Sequence, residues 1–270
     1  MKGRNRAGSG TRDSSRLSGV SRETKKPTGA SPPASLVNPE KIASDVRERV
    51  ARWLCETTLT PRAGFLERIE KMAAALVLWG AHTNLTADAS DPAEIAFHVI
   101  DSLAPITFAT AANRETLEAA LAEGANALDL GSGAGFPGLV LAAAFNARFT
   151  LAESRRKRAT YLQVAAHEMD LKNVAIEQRR ASARSIGGGF DLVTARAFGT
   201  SIELYEIAAA ALRPGGVLLL YASADQVLDE SSSKVLGEGT TWTYRLPHGE
   251  RVATRTAMLW RKARAASSES

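Results

Sequence analysis

Leu128-Asp129-Leu130-Gly131-Ser132-Gly133-Ala134-Gly135-Phe136-Pro137-Gly138 decides the fold. An apolar run ends around an acid, breaks into four glycines within eight residues, and gives way to a helical apolar pattern. Glycines placed there let the backbone approach a ligand that a Cβ would exclude. The stretch predicts a strand, a tight turn and a helix, with a ligand lying against the turn.

Downstream the rhythm repeats. Ala127–Leu130 predicts a short strand and Pro137–Phe145 a helix with proline in its first turn. Phe149–Ala152 predicts a strand ending at Glu153, then Lys157–Met169 a helix. Val174–Glu177 and Phe190–Ala195 predict strands, Ile202–Leu212 a helix, and Val217–Tyr221 a strand after the turn Arg213-Pro214-Gly215-Gly216. Strands alternating with helices imply parallel βαβ units in a doubly wound sheet. Thr241–Leu246 and Val252–Trp260 flank Pro247-His248-Gly249 and predict a hairpin, which adds an antiparallel edge. The expected fold class is α/β: a doubly wound, mostly parallel seven-stranded sheet, with an N-terminal helical segment.

Upstream, Ile42, Val46, Val50 and Trp53 recur at helical spacing. Thr60-Pro61 has the pattern of an N-cap and first helical residue, ahead of Phe65, Leu66, Ile69, Met72, Ala73, Leu76 and Trp79. Asp91-Pro92 repeats it ahead of Ile95, Val99 and Leu103. The expected organisation is a disordered basic tail over 1–37, a helical segment over 38–112, a Rossmann-like domain over 113–262 and a disordered C-terminus over 263–270.

The formal net charge of +5 is unevenly spread. Residues 1–27 hold eight basic residues and two acids, so that tail alone is +6 and the remainder −1. A near-neutral body meets nucleic acid through a local patch or through the tail, not through a uniformly basic coat. The single cysteine, Cys55, excludes an intrachain disulfide and a cysteine zinc cluster, and its apolar helical setting predicts a small core residue. The sequence contains no apolar run long enough to span a membrane, and the basic tail lacks the apolar stretch expected of a secretory signal. The expected setting is the cytoplasm, without membrane or metal, and the expected state is a monomer.

In an open α/β sheet, ligands bind at the carboxyl ends of the strands. Gly133, Gly135 and Gly138 satisfy the dinucleotide spacing Gly-x-Gly-x-x-Gly, a weak match alone. Asp129-x-Gly131-x-Gly133-x-Gly135 resembles S-adenosylmethionine (SAM) methyltransferases better, so the sheet is expected to be of the class I SAM methyltransferase type and 113–262 a SAM-binding Rossmann-like methyltransferase domain. An acid two residues before the first glycine suits a cationic amino-acid ligand and repels a pyrophosphate. Glu153, ending the next strand, is placed to accept both ribose hydroxyls of an adenosine.

The fourth predicted strand ends in Thr194-Ala195-Arg196-Ala197-Phe198. The Asn-Pro-Pro-Tyr box of enzymes that methylate exocyclic base amines is absent there, and no cysteine is near for covalent attack on a pyrimidine. A nucleophile that needs no deprotonation remains, such as N7 of guanine, with catalysis by alignment and exclusion of water. Arg196 is the candidate catalytic residue, donating to guanine O6 or to a phosphate. Phe198 opens the next helix and is expected in the core rather than stacked on a base.

These residues resemble the RsmG/GidB family of 16S rRNA guanine-N7 methyltransferases over roughly 62–260. The likeness is carried by Asn84-Leu85-Thr86, Asp91-Pro92, His98-Val99-Ile100-Asp101-Ser102-Leu103, Leu128–Gly138, Glu153-Ser154 with Lys157-Arg158, Phe190-Asp191, Arg196-Ala197-Phe198 and Gly249-Glu250-Arg251. It implies SAM-dependent transfer to N7 of a guanine, position 527, in the 530 loop of 16S rRNA. The implied partner is 16S rRNA or the small ribosomal subunit. The resemblance also implies that Gly131 and Phe136 line the SAM site, that Ala181 and Ser182 lie on its adenine side, and that Arg196 stands at the junction of SAM and guanine. Two positions depart from the family pattern. Ser182 stands where an acid is common, and Ala222-Ser223 stands where the family carries Lys-Gly. Either RNA affinity falls, or another basic residue such as Arg179 or Arg180 substitutes for that lysine. Other readings are a ribosome-assembly or RNA-binding module with weak catalysis, and a methyltransferase with a different substrate.

Arg155, Arg156, Lys157 and Arg158, with Arg179, Arg180 and Arg184, put seven cations beside the ends of the second and third strands. Arg155, Arg156, Arg179 and Arg180 are the expected RNA-phosphate contacts. His98 and Asp101, three apart on one helical face, are expected either to position RNA or to tie the helices to the sheet. His167 is expected on a helix surface.

Overall fold

The computed structural model describes residues 38–80, 83, 85–86, 88–196, 202–226 and 230–263; the expectations for 1–37, Asn84, Ala197, Phe198 and 264–270 fall outside these. The strands β1 (Asn126–Leu130), β2 (Arg148–Ala152), β3 (Val174–Glu177), β4 (Phe190–Arg196), β5 (Leu212–Ser223), β6 (Gly239–His248) and β7 (Arg251–Arg261) form one sheet in the order β3-β2-β1-β4-β5-β7-β6. The first five are parallel, and β7 runs antiparallel to both of its neighbours. The order reverses between β1 and β4, and the glycine turn leaves β1 at that reversal, where open α/β sheets bind ligands.

Side-chain alternation sorts the sheet between two cores. Ala127, Leu192, Val217 and Leu219 join the larger core, with the helices α1 (Pro39–Cys55), α2 (Phe65–Gly80), α3 (Pro92–Thr107), α4 (Ala111–Ala120), α5 (Gly138–Ala144) and α6 (Arg156–Glu168). Leu128, Leu130, Val193, Leu218 and Leu220 join the other, with Trp260, α7 (Ile202–Ala211) and α8 (Glu230–Leu236). The N-terminal helices thus share one continuous core with the sheet. No single described helix is long and apolar enough to cross a membrane.

Two helix starts follow from their caps. Asn38 accepts from the Glu40 and Lys41 amides, and Asp91 from the Ala93 amide at 2.8 Å, each followed by proline. The Thr60-Pro61 expectation is corrected: α2 begins at Phe65. Gly64 sits at φ +76, a left-handed conformation that interrupts a helix, and Arg62 is drawn away from any helical turn. The Arg62 amide donates to the Ala144 carbonyl, and its guanidinium donates to the carbonyls of Ala143 at 3.0 Å and Ala142 at 2.8 Å. Asn173 Nδ2 donates to the carbonyls of Ala142 and Ala147. The carbonyls that end α5 have no partners within their own helix, and these two side chains satisfy them.

Cys55 is also corrected, from core to exposed. The buried stripe of α1 is Ala43, Val46, Val50 and Trp53, and a residue two beyond Trp53 turns about 200° off it. The hairpin forms as expected. Strand β5 is longer than Val217–Tyr221, because the Arg213–Gly216 segment continues beside β4 through a register shift after Phe190.

Arg62→Ala leaves two α5 carbonyls without their charged donor. The expected loss is about 1.5–3 kcal/mol of unfolding free energy, measured by urea denaturation. A change below about 0.5 kcal/mol would show that water replaces the guanidinium without cost.

Candidate active site

The five parallel strands place their C-terminal ends along one edge, and the expected site residues gather there. The Gly131 and Ser132 amides donate to the Ala152 carbonyl, and the Glu153 amide donates to the Glu177 carbonyl, so β1, β2 and β3 are stitched together at the turn. Gly131, Gly133 and Gly135 all take positive φ. Glu153 is buried, with Oε2 accepting from the Gly133 amide at 3.0 Å and Oε1 from the Arg155 amide at 2.7 Å. An ionised carboxylate has about four lone-pair positions, so both oxygens retain capacity for vicinal hydroxyls. A cleft of about 250 Å³ lies alongside, lined by Gly131, Ala152, Ser154, Arg179, Arg180, Ala181 and Glu203. A glycine cradle, a strand-end carboxylate and a cleft bordered by Ala181 fit the adenosyl half of SAM.

Asp129 lies beneath the turn, not on its surface. It is 0% exposed and its Oδ1 accepts from the Thr194 hydroxyl at 2.7 Å. A Cβ on Gly138 would stand 2.6 Å from its Oδ2, so the fourth glycine permits α5 to start against this carboxylate. Burial pushes the Asp129 pKa up to about 6, against the Thr194 hydrogen bond and the charge of Arg196, while Oδ2 makes no hydrogen bond among the described residues.

At the end of β4, Arg196 is enclosed by α3. Its Nη2 lies 2.5 Å from His98 Nδ1, its Nη1 lies 3.5 Å from Asp101 Oδ2, and its guanidinium carbon sits 5.8 Å from the centre of the Phe136 ring. His98 and Asp101 therefore do tie the helices to the sheet, and they do so through the candidate catalytic arginine. Burial pulls the Arg196 pKa down while Asp101 pulls it up.

Sequence reasoning missed four residues around this group. Glu94 Oε1 accepts from His98 Nε2 at 3.1 Å, and its Oε2 meets His248 Nε2 at 2.5 Å. The two imidazole bonds, with the His98 bond first, pull the Glu94 pKa down to about 2 against the opposing effect of burial. The Tyr244 hydroxyl donates to Asp101 Oδ1 at 3.0 Å, and Arg255 Nε lies 3.8 Å from Asp101 Oδ2. The i, i+4 spacing of Glu94 and His98 was a usable signal. Arg255, Tyr244 and His248 come from the hairpin, about 150 residues along the chain from their partners, and had none.

The basic patch divides. Arg179 turns inward, pairing with Glu177 and donating to the Ser185 and Ile186 carbonyls. Arg155, Arg156 and Arg180 are exposed, with no side-chain partner among the described residues. His167 is exposed as expected. The Ser182 hydroxyl bonds the Ser185 hydroxyl at 2.8 Å. Ala222 is buried, and the end of β5 runs between two arginines, with Arg196 of β4 paired to Tyr221 and Arg255 of β7 paired to Ser223. Arg179 and Arg180 instead line the cleft by Gly131.

The family model for rRNA small subunit methyltransferase G (GidB) matches residues 65–236. The chain belongs to this family. Curated relatives named ribosomal RNA small subunit methyltransferase G include one from Wolinella succinogenes, 35% identical over 179 residues covering 66% of this chain and 83% of the relative. One from Streptococcus pyogenes is 33% identical over 198 residues, covering 68% and 78%. Among solved structures, the tRNA (m1A58) methyltransferase TrmI from Aquifex aeolicus aligns with TM-score 0.45 at 18% identity, over 56% of this chain and 67% of that one. The rRNA small subunit methyltransferase G match spans α2 to α8 and so includes the glycine turn, Glu153, Arg196 and the Glu94–Asp101 face of α3.

Asp129 carries a pH test. Its folded pKa is above its ordinary 3.8, so its stabilising contribution is complete below that value and is lost as pH rises through about 6. A shift of about two units corresponds to roughly 3 kcal/mol at neutral pH. Asp129→Asn removes that titration. Denaturant melts should show the variant gaining about 2–3 kcal/mol on the wild type between pH 4 and pH 7.5. A pH-independent difference would rule out a raised Asp129 pKa.

Proposed function

We propose that this chain transfers a methyl group from SAM to N7 of a guanine in the 530 loop of 16S rRNA. The observation that carries the reading is Arg196, held beside Phe136 at the end of β4 next to the glycine turn, in a chain of the rRNA small subunit methyltransferase G family. SAM, when bound, supplies an electrophilic methyl group on a sulfonium. Gly131, Gly133, Gly135 and Phe136 form the cradle for it, with Asp129 beneath, Glu153 toward the ribose and Ala181 and Ser182 toward the adenine. Arg196 donates to O6 or to a phosphate of the guanine nucleotide and leaves N7 free.

The surroundings of Arg196 support an acceptor atom that carries no proton. His98 faces Arg196 through one ring nitrogen and Glu94 through the other, so neither is turned outward as a base. Asp101 is 2% exposed and bonded to Tyr244. Catalysis then consists of alignment and exclusion of water. Arg155, Arg156 and Arg180 contact RNA phosphates, and Arg179 shapes the loop that carries Arg180. The same reading has the chain working in the cytoplasm as a monomer, without a metal, on the small subunit or its rRNA.

The test is to incubate the protein and labelled SAM with small subunits lacking the modification, and to map N7-methylguanine by chemical cleavage. One modified guanine in the 530 loop is expected. Arg196→Ala should lower transfer about 10–100-fold while the SAM dissociation constant moves less than about threefold. SAM and subunit binding without transfer would overturn the catalytic reading in favour of an assembly role.

A further inference from the structure

We propose that His98 is the positioning residue for Arg196: Glu94 fixes the imidazole in its Nε2–H form, and Nδ1 then accepts from Nη2 and holds the guanidinium beside Phe136. This rests on the reading of Arg196 given above.

The donor inventory fixes the direction of the relay. Arginine donates only, so the nitrogen 2.5 Å from Nη2 must be the acceptor, and Nδ1 carries no proton. The proton of the neutral ring is then on Nε2, which faces Glu94 Oε1 at 3.1 Å. Glu94 is itself held. Its second oxygen meets His248, whose ring stacks on Phe97 with centres 4.1 Å apart and planes 15° apart. Two imidazoles from α3 and β6 thus grip one carboxylate, which takes away its freedom to turn. On the other side, Nη1 of Arg196 is buried, makes no hydrogen bond among the described residues and lies 3.5 Å from Asp101 Oδ2. Position at the guanidinium is therefore set chiefly by the short contact with His98. The His98 ring also lies against Phe136, with centres 5.2 Å apart, so one side chain touches both flanks of the site.

The charged and titratable groups around the His98–Arg196 pair are Glu94 and Asp101 on α3, Asp129 on β1, Tyr221 on β5, His248 and Tyr244 on β6 and Arg255 on β7. Protonating His98 removes the acceptor and places a second cation against Arg196. Burial lowers the His98 pKa first; Glu94 raises it in part, and Arg196 lowers it further. The neutral form that the relay needs is thus the favoured one down to below 6.5.

Asparagine and glutamine separate positioning from simple tethering. The Asn amide oxygen occupies the place of Nδ1, whereas the Gln amide reaches that of Nε2. The test compares wild type, His98→Asn, His98→Gln and His98→Ala for kcat, KM for RNA and SAM affinity between pH 5 and pH 9, with Asp129→Asn as a control for its own titration. His98→Asn should keep kcat within about threefold and lose the acid limb attributable to position 98. His98→Gln and His98→Ala should lose about tenfold or more in kcat, the worth of a hydrogen bond to a charged group, with SAM affinity within about threefold. A wild-type kcat in His98→Ala, equal behaviour of Asn and Gln, or an acid limb that survives in His98→Asn but not in Asp129→Asn overturns the proposal.

Nitrogen-15 NMR of the histidine side chains reads the relay without turnover. Nδ1 of His98 should be unprotonated, with a titration below that of free imidazole that moves up in Arg196→Ala. A proton on Nδ1, or a titration unmoved by Arg196→Ala, overturns the proposal. If the wild type transfers no methyl group, the functional reading fails by itself, and the NMR result still decides the positioning role.

Discussion

Asp129 has no exposed surface, shares a hydrogen bond with Thr194, and lies so close under Gly138 that a methyl group there would collide with it. That carboxylate joins β1, β4 and the first turn of α5 at one point. The turn above it has little freedom as a result. Its amides reach sideways to Ala152, and Gly133 bonds Glu153. A buried carboxylate is costly to ionise, and the Asp129 pKa of about 6 records that cost. The arrangement persists because the Thr194 hydroxyl donates to one oxygen and the Arg196 charge favours the ionised form, and because glycine at 138 leaves room for the other.

The sheet was legible because its signals are local. Each strand from β1 to β5 sits between a turn residue and a helical pattern, and the hairpin announces itself at Pro247-His248-Gly249. Local signals also misled. Thr60-Pro61 has the composition of a helix start, but Gly64 and the docking of Arg62 onto α5 postpone the helix to Phe65. Cys55 sits in an apolar neighbourhood and still turns outward, because two positions past a buried residue is the opposite side of a helix.

The site was legible in its parts and illegible in its joints. Gly131, Glu153 and Arg196 each end or follow a strand, so the parallel sheet alone brings them to one edge. The partners of Arg196 depend on how α3 and the hairpin cross the sheet, which no spacing encodes. Arg255 shows the same gap. It lies beside the end of β5 because β7 is the antiparallel neighbour there, with Arg255 in register with Ser223.

The charges in this joint constrain one another. Arg196 and Arg255 converge on Asp101, and Glu94 supplies a second negative charge at the far end of the histidine. Protonating His98 would set another cation directly against Arg196. Buried ions are tolerated when paired and hydrogen-bonded, and removing one partner costs far more than the pair contributes. The helical segment is therefore more than a cover for the sheet. It carries Glu94, His98 and Asp101, and without that face of α3 the arginine at the end of β4 would be a buried cation with Arg255 as its neighbour and no acceptor to hold it.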